Sequence, residues 1–198
     1  MKLVSIDEAL RLDPGFKPGW EFRGGAFSDP RFGHIEHVAV VDGGKVLWDQ
    51  PVIREVPGVV VVPYTLDPLE VGMVEVCRPA AGTEASLEFP GGFCRVGEPW
   101  DEAAVREAAE EAGWRLLGLM KLGEVNPNTA FYASRVTACA ALVESWEGRP
   151  DGGEVSRIRR VSLGELLRLI RGGRITSGLT LAVAVLFMAK VVFGNGKK

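Results

Sequence analysis

Hydrophobic residues along the chain recur in short runs of strand length, separated by polar and glycine-rich segments. The runs Ile35–Val41 and Lys45–Trp48 flank Asp42-Gly43-Gly44, a turn sequence that is typical of a β-hairpin. Further runs of the same kind predict strands over Gly58–Tyr64, Val71–Arg78, Ser86–Phe89, Leu116–Leu122, Arg135–Trp146 and Glu154–Val161. The pattern therefore predicts a protein that is rich in β-sheet.

Helical signals occur at other points of the chain. Ser5 with Glu8, and Ser162 with Glu165, have the spacing of a capping box, in which a serine side chain caps the first turn of a helix. The apolar segment 177–193 predicts a last, buried helix. Each signal predicts one helix, and only the first lies ahead of the strands.

Strands and helices do not alternate one for one, which argues against a parallel sheet of the Rossmann type. A mixed sheet between helices, an α/β (α+β) fold, fits the order of elements better. The simplest division of the 198 residues is an N-terminal helix and β-hairpin elaboration over 1–57 and a main domain over 58–198.

The composition of the chain indicates which classes of partner and which cellular compartment to expect. A hydrophobic content of 46% and a net charge of −3, with no basic stripe, predict a soluble globular chain and no nucleic-acid polymer as partner. The N-terminus lacks an apolar signal core, and Leu179–Ala189 is too short to span a bilayer, so no membrane association is expected. Cys77, Cys94 and Cys139 lack C-x-x-C spacing and predict reduced thiols in a cytoplasmic protein.

The most specific pattern begins at Gly92, ends at Trp114 and has the spacing G-x5-E-x7-R-E-A-x-E-E-x-G-W. Its second half is rich in alanine and predicts a helix. Asp101 is the expected N-cap of this helix, and Gly113 is the expected left-handed cap at its end.

Three carboxylates share one face of that helix, because residues three and four positions apart are neighbours: Glu107, Glu110 and Glu111. Like charges at this spacing are unfavourable, so a hard cation such as Mg²⁺ or Mn²⁺ is expected to complete the face. The alternative for the carboxylates alone is a solvated acidic surface. An EF-hand calcium loop is excluded, because its D-x-D-x-D-G alternation of ligands does not occur here.

The pattern resembles the signature of the Nudix hydrolases. The segments before it resemble the ADP-ribose pyrophosphatase branch of that family: Val59–Tyr64, Val74–Arg78 and Leu87-Glu88-Phe89-Pro90-Gly91-Gly92. So do two later segments, Gly153–Ser162 and Gly173–Thr176. The resemblance covers residues 35–190 and implies a Nudix-type α/β/α sandwich with a mixed sheet.

The resemblance also implies roles for individual residues. The metal ligands would be the carbonyl of Gly91 and the carboxylates of Glu107, Glu110, Glu111 and Glu154. Catalytic roles would fall to Glu111 and Glu154, to Arg106, which would orient the carboxylates, and to Glu98, which would brace the loop.

Four residues are candidates for binding the substrate. The resemblance implies that Arg78 contacts the phosphates. Asn128, in the loop after the motif, is a further candidate for binding the substrate. Trp20 and Phe22 have aromatic faces on which a base can stack, although an aromatic residue near the N-terminus can equally be a packing anchor.

The implied reaction is Mg²⁺-dependent hydrolysis of a nucleoside diphosphate linked to another group, with ADP-ribose or another nucleoside-diphosphate sugar as the leading candidate. The loop Asn126-Pro127-Asn128 departs from the pattern of the branch, which leaves the substrate open. The alternatives are a Nudix pyrophosphatase for a coenzyme or a damaged nucleotide, and a Nudix-fold nucleotide sensor without turnover. The intact Arg106, Glu107, Glu110 and Glu111 argue against the sensor.

A homodimer is expected as well. The hairpin over residues 35–48 offers strand edges with apolar alternation, and such edges are usually covered. The ADP-ribose branch covers them by dimerisation, which would bring Trp20 or Phe22 to the partner's pocket. A hairpin folded back on its own domain is the alternative.

Overall fold

The computed structural model describes residues 1–19, 28–29, 33–79, 82–149 and 155–194. The chain divides into two compact units, one formed by Met1–Val56 with Asn128–Ser134 and the other by Pro57–Pro127 with Arg135–Lys198. The segment Asn128–Ser134, which the sequence places within residues 58–198, thus belongs to the N-terminal unit.

The N-terminal unit is a small antiparallel sheet with one helix. Its elements are β1 (Lys2–Ser5), α1 (Ile6–Leu12), β2 (Ser28–Asp29), β3 (Gly33–Asp42) and β4 (Lys45–Glu55). Strand β3 pairs with the other three strands, and Val4, Ala9, Ala39 and Val41 form a buried core between the sheet and α1. The predicted hairpin is confirmed, and its strands are longer than the apolar runs indicated.

Two local features explain the boundaries of this unit. Ser5 caps α1, since its side chain accepts the N–H of Glu8. Ile53 in β4 exchanges backbone hydrogen bonds with the later segment: its N–H donates to Phe131, and its carbonyl accepts from Ala133. These bonds explain why Asn128–Ser134 packs with the N-terminal sheet.

The second unit contains the remaining elements. They are β5 (Gly58–Tyr64), β6 (Glu70–Arg78), β7 (Thr83–Glu88), β8 (Gly91–Phe93), α2 (Trp100–Ala112), β9 (Arg115–Val125), β10 (Val136–Ser145), β11 (Val155–Ser162), α3 (Leu163–Arg171) and α4 (Gly178–Phe187). A π-helical turn, Met188–Val192, continues α4. Ser162 caps α3 by accepting the N–H of Glu165, as its capping-box spacing predicts.

The sheet of this unit is mixed. Its strand order is β11-β6-β5-β10-β9, with β7 paired to β6 and β8 paired to β5. The β5–β10 pair is parallel and the other pairs are antiparallel. Alternate residues of β5 face opposite layers: Val59 and Val61 pack against α2, while Val60 and Val62 pack in the cluster that contains α3 and α4. The predicted sandwich of a mixed sheet between helices is confirmed.

Helix α2 differs from the prediction at its first residue. It begins at Trp100 with Pro99 as N-cap and no side-chain capping bond, so the prediction of Asp101 as N-cap is wrong. Asp101 lies in the first turn instead, where an acidic side chain interacts favourably with the helix dipole. The C-terminal prediction is confirmed, because Gly113 has a left-handed conformation with φ of 68°.

The buried faces of the helices explain their positions. Ala103, Ala104 and Ala108 of α2 are fully buried against the sheet, and their small side chains allow the helix to approach it closely. The last helix, α4, buries Val183, Ala184 and Phe187. None of the helices in the described part of the chain has both the length and the apolar character needed to cross a bilayer.

Candidate active site

Strand β8, at the start of the motif, brings its backbone close to a side chain of α2. Gly92 lies so near the Glu107 carboxylate that a Cβ atom at position 92 would be 2.5 Å from Oε1 of Glu107. Gly91 is equally confined, because its Cβ would collide with the Val59 carbonyl on β5. A side chain at position 91 would collide with backbone, and one at position 92 would displace the Glu107 carboxylate, so the two glycines leave room for a buried carboxylate beside the backbone.

Arg106 connects the loop to the helix. Its Nε and Nη2 atoms donate to the two oxygens of Glu98 at 2.7 and 2.9 Å, and Nη2 also donates to the Phe93 carbonyl at 3.0 Å. The Arg95 N–H donates to Glu98 at 2.7 Å. These bonds hold the pKa of Glu98 down at about 2, with the Arg106 hydrogen bond as the largest cause. Glu98 is therefore an anion that fixes the loop.

The other guanidinium nitrogen of Arg106 contacts two carboxylates of the helix. Its Nη1 donates to Glu107 at 2.7 Å and to Glu110 at 3.0 Å. The second oxygen of Glu110 accepts from Nη2 of Arg95 at 2.9 Å. Glu110 is 40% exposed, and both of its oxygens contact arginines. In this structure Glu110 thus ties the loop to the helix.

Glu111 lies on the side of the helix that faces β8. Its Oε2 accepts the Gly91 N–H at 3.0 Å. The pKa of Glu111 is raised to about 7, with burial as the largest cause. The charges of Glu107 and Glu88 contribute to this rise, while the Gly91 hydrogen bond and Arg78 act in the opposite direction. A carboxyl with this pKa exchanges a proton near neutral pH, which suits a general acid or base.

Glu107 is the most buried of the acidic residues in the motif, with 9% of its surface exposed. Burial is the largest cause that raises its pKa, the Arg106 hydrogen bond lowers it, and the charges of Glu110 and Glu98 raise it again. Two neighbouring carboxylates that resist ionisation are stabilised by a proton or by a cation.

A second arginine and a further carboxylate lie next to Glu111. Arg78, at the end of β6, donates from Nη2 to Oε2 of Glu88 at 2.9 Å and from Nε to both Glu88 oxygens at 3.2 and 3.3 Å. The charge of Arg78 lowers the pKa of Glu111, and the charge of Glu88 raises it. The structure therefore brings Arg78, Glu88, Glu111 and the Gly91 backbone into one neighbourhood.

The predicted site residues fall into three groups. The structure brings together Arg78, Gly91, Glu98, Arg106, Glu107, Glu110 and Glu111 around the β8–α2 turn. Asn128 lies in the N-terminal unit, where its side chain accepts the Ala130 N–H at 3.0 Å. Trp20, Phe22 and Glu154 lie outside the described residues, so their roles stay predictions.

Sequence reasoning missed two participants. Arg95 carries no motif signal, because it occupies a variable position of the signature. Glu88 stands in the Leu87-Glu88-Phe89-Pro90 segment and had a motif signal, yet its contact with Arg78 joins residues of two different strands. Such a contact follows from strand register rather than from local pattern.

The donor set suits a hard divalent ion, although its side chains are not arranged as a complete metal site. Within residues 1–19, 28–29, 33–79, 82–149 and 155–194, no three His, Cys, Asp or Glu side chains surround one point as metal ligands. The buried Glu107 and the half-buried Glu111 nevertheless supply oxygen donors beside a glycine backbone, which is the chemistry that Mg²⁺ and Mn²⁺ prefer.

Comparison with known proteins agrees with the motif. A family model described as NUDIX domain matches residues 56–178. No curated protein matches the sequence. Among solved structures, one described as the crystal structure of ADP compounds hydrolase superposes with a TM-score of 0.68 at 19% identity, over 88% of this chain and 94% of that chain. At this level of identity the likeness shows a shared fold.

Proposed function

This chain belongs to the Nudix family and is a Nudix pyrophosphohydrolase, and we propose that its substrate is a nucleoside diphosphate linked to a sugar. ADP-ribose is the leading candidate, and hydrolysis of its pyrophosphate bond would give a nucleoside monophosphate and a phosphorylated sugar. The observation that carries the proposal is a pair of carboxylates, the buried Glu107 and the half-buried Glu111, set against Gly91 and Gly92 beside Arg78.

Mg²⁺, or Mn²⁺ in its place, is the proposed cofactor. Glu107 and Glu111 would hold it together with the Gly91 carbonyl, with Glu110 and Glu154 as the further carboxylates that the family resemblance implies. A divalent ion at such a site supplies positive charge that neutralises pyrophosphate oxygens and makes water more acidic.

Other proposed roles concern the attacking water, the position of the loop and the binding of phosphate. Glu111, a carboxylate beside the proposed ion, would accept a proton from the attacking water. Glu154 is the alternative base. Arg106 and Glu98 keep the loop and the helix carboxylates in place through their paired hydrogen bonds. Arg78 is suited to bind phosphate, because a guanidinium offers a fork of donors to an oxygen pair.

The proposal extends to assembly and compartment. Leu3, Val40 and Trp48 lie opposite one another across β1, β3 and β4, and Leu3 and Trp48 are 59% and 51% exposed. Exposed apolar rows of this kind mark interaction surfaces, which supports a homodimer that light scattering at twice the chain mass would reveal. The three free cysteines support a cytoplasmic location.

The decisive assay measures product release from a panel of nucleoside diphosphate compounds, with and without Mg²⁺. The panel contains ADP-ribose, other nucleoside-diphosphate sugars, a coenzyme and a damaged nucleotide. We expect Mg²⁺-dependent cleavage that is fastest with an ADP-sugar. Preference for the coenzyme or the damaged nucleotide would replace the proposed substrate, and binding of ADP-ribose without any cleavage would favour the sensor.

A further inference from the structure

We propose that Glu88 is a positioning residue that fixes the guanidinium of Arg78 for a phosphate group of the ligand. The inference rests on the proposed function for the nature of the ligand, and it adds a residue for which the motif implies no role. Its support is the geometry of the pair, the position of the pair in the sheet, and its neighbourhood.

The contact between the two side chains is paired and directional. Three donor–acceptor contacts, at 2.9, 3.2 and 3.3 Å, join Nη2 and Nε of Arg78 to the Glu88 carboxylate. The Glu88 side chain is 15% exposed, whereas that of Arg78 is 36% exposed. The carboxylate thus lies inside and the arginine toward the surface, which is the order expected when an acid holds an arginine for a ligand from solvent.

Strand register shows the direction in which the contact with Glu88 holds the Arg78 side chain. Glu88 lies opposite Val74 in the β6–β7 ladder, while Arg78 lies opposite Thr83. Val74 and Arg78 are four positions apart, or about 13 Å along a strand. The Arg78 side chain therefore runs back along β6 to reach Glu88. Removal of that carboxylate would remove three contacts that restrict the rotamers of this long side chain.

The orientation of the Arg78 side chain matters because it places the guanidinium in the neighbourhood of the Glu111 carboxylate. Arg78 and Glu88 are both close enough to Glu111 to act on it electrostatically. Glu88 itself stands three residues before Gly91, whose N–H contacts Glu111. A phosphate that approaches this carboxylate cluster needs a fixed positive partner, and Arg78 is the cation that the pair holds there.

The competing explanation is an ion pair that only stabilises the β6–β7 ladder. The two explanations differ in how the effects of substitutions combine. If Glu88 acts through Arg78, its replacement has no further effect once Arg78 is gone; if it acts on the sheet alone, the effects add.

The test is a double-mutant cycle with AMP as the probe, titrated by calorimetry in the presence of Mg²⁺. AMP carries a phosphate and has no pyrophosphate bond to cleave. The proteins are wild type, Arg78→Gln, Glu88→Gln and the double variant, with Glu75→Gln as the control. Glu75 forms a comparable interstrand pair with Arg159 at 3.5 Å in the same sheet.

We expect Glu88→Gln and Arg78→Gln each to raise the AMP Kd about tenfold, and the double variant to match Arg78→Gln within about twofold. Glu75→Gln leaves the Kd unchanged. In turnover, Glu88→Gln raises KM more than it lowers kcat. Should Glu88→Gln fail to fold, Glu88→Asp, which keeps the charge and shortens the reach, takes its place in the cycle.

Additive effects on Kd, or an unchanged Kd in Glu88→Gln, would overturn the role of Glu88 while hydrolysis by the wild type stands. If the effects of the two substitutions on Kd are coupled but the wild type cleaves no nucleoside diphosphate compound, the role of Glu88 is supported and the proposed reaction is overturned. A wild type that binds no AMP would overturn the assignment of Glu88.

Discussion

Glu111 on α2 accepts the backbone N–H of Gly91 on β8 at 3.0 Å, so a helix carboxylate is anchored to the strand that precedes the helix. The bond only partly offsets the burial of the carboxyl, whose pKa remains at about 7. The protein therefore contains a half-buried acid whose anionic form is unfavourable, at a position that we propose to be a metal ligand.

The first prediction concerns stability against pH. Because the pKa of Glu111 is raised from 4.5 to about 7 on folding, the folded state retains a proton that the unfolded state loses between those values. The free energy of unfolding should therefore fall as pH rises through this window, by about 3 kcal/mol at most. Glu111→Gln should lack this fall.

Urea denaturation at about pH 5 and pH 8, with a chelator present, measures this difference directly. Added Mg²⁺ should restore stability to the wild type at the higher pH and have less effect on the variant. If the free energy of unfolding changed with pH in the same way in both proteins, Glu111 would not be the group whose raised pKa causes the fall.

A second prediction follows from the Glu98–Arg106 pair. Glu98→Gln removes the charge that receives two Arg106 donors and the Arg95 N–H. We expect a lower melting temperature together with a lower rate of hydrolysis, because the charged acceptor of these three donors is lost. Glu102→Gln, an exposed change in the first turn of α2, is the control. Unchanged melting with abolished activity would contradict the bracing role.

Gly92→Ala is the third predicted change. The new methyl group would lie 2.5 Å from Oε1 of Glu107, so the carboxylate or the turn must move. Turnover should fall about a hundredfold, because catalysis is sensitive to displacements of about an ångström. Gly178→Ala, at the start of α4 with nothing within 4 Å of the new atom, is the matched control. Equal activity in both variants would remove Gly92 from the site.

The acidic residues of α2 should differ in their contributions to turnover. Glu107 is buried and Glu111 has a strongly raised pKa, whereas Glu110 is 40% exposed and already bound by two arginines. At saturating Mg²⁺, Glu107→Gln and Glu111→Gln should lose about a hundredfold or more in kcat, and Glu110→Gln about tenfold. A larger loss in Glu110→Gln than in the other two would reverse this ranking.

Local sequence signals predicted much of the fold. The apolar run Gly58–Tyr64 coincides with β5, and the capping boxes at Ser5 and Ser162 mark the observed helix starts. These features depend on residues within one turn or one strand, so a single sequence contains them. The short strands β1 and β8 were missed, because strands of four and three residues are too short to show periodicity.

The site was predictable in its members and less so in its contacts. The motif spacing identified Arg106 and the helix carboxylates, but not that Glu110 contacts two arginines or that Glu88 holds Arg78. The prediction for the N-cap of α2 was wrong because aspartate is a residue type that often caps helices, whereas the N-cap in the structure is Pro99. Contacts of this kind depend on how the loop and strands pack, which no local pattern specifies.

The most direct test of the whole account is the hydrolysis of ADP-ribose by the wild-type protein in ¹⁸O-labelled water with Mg²⁺, followed by mass analysis of both products. Attack of water at phosphorus predicts AMP and a phosphorylated ribose, with the label on the phosphate of one of them. Label on a sugar carbon, or no cleavage of ADP-ribose with Mg²⁺ present, would contradict the proposed reaction.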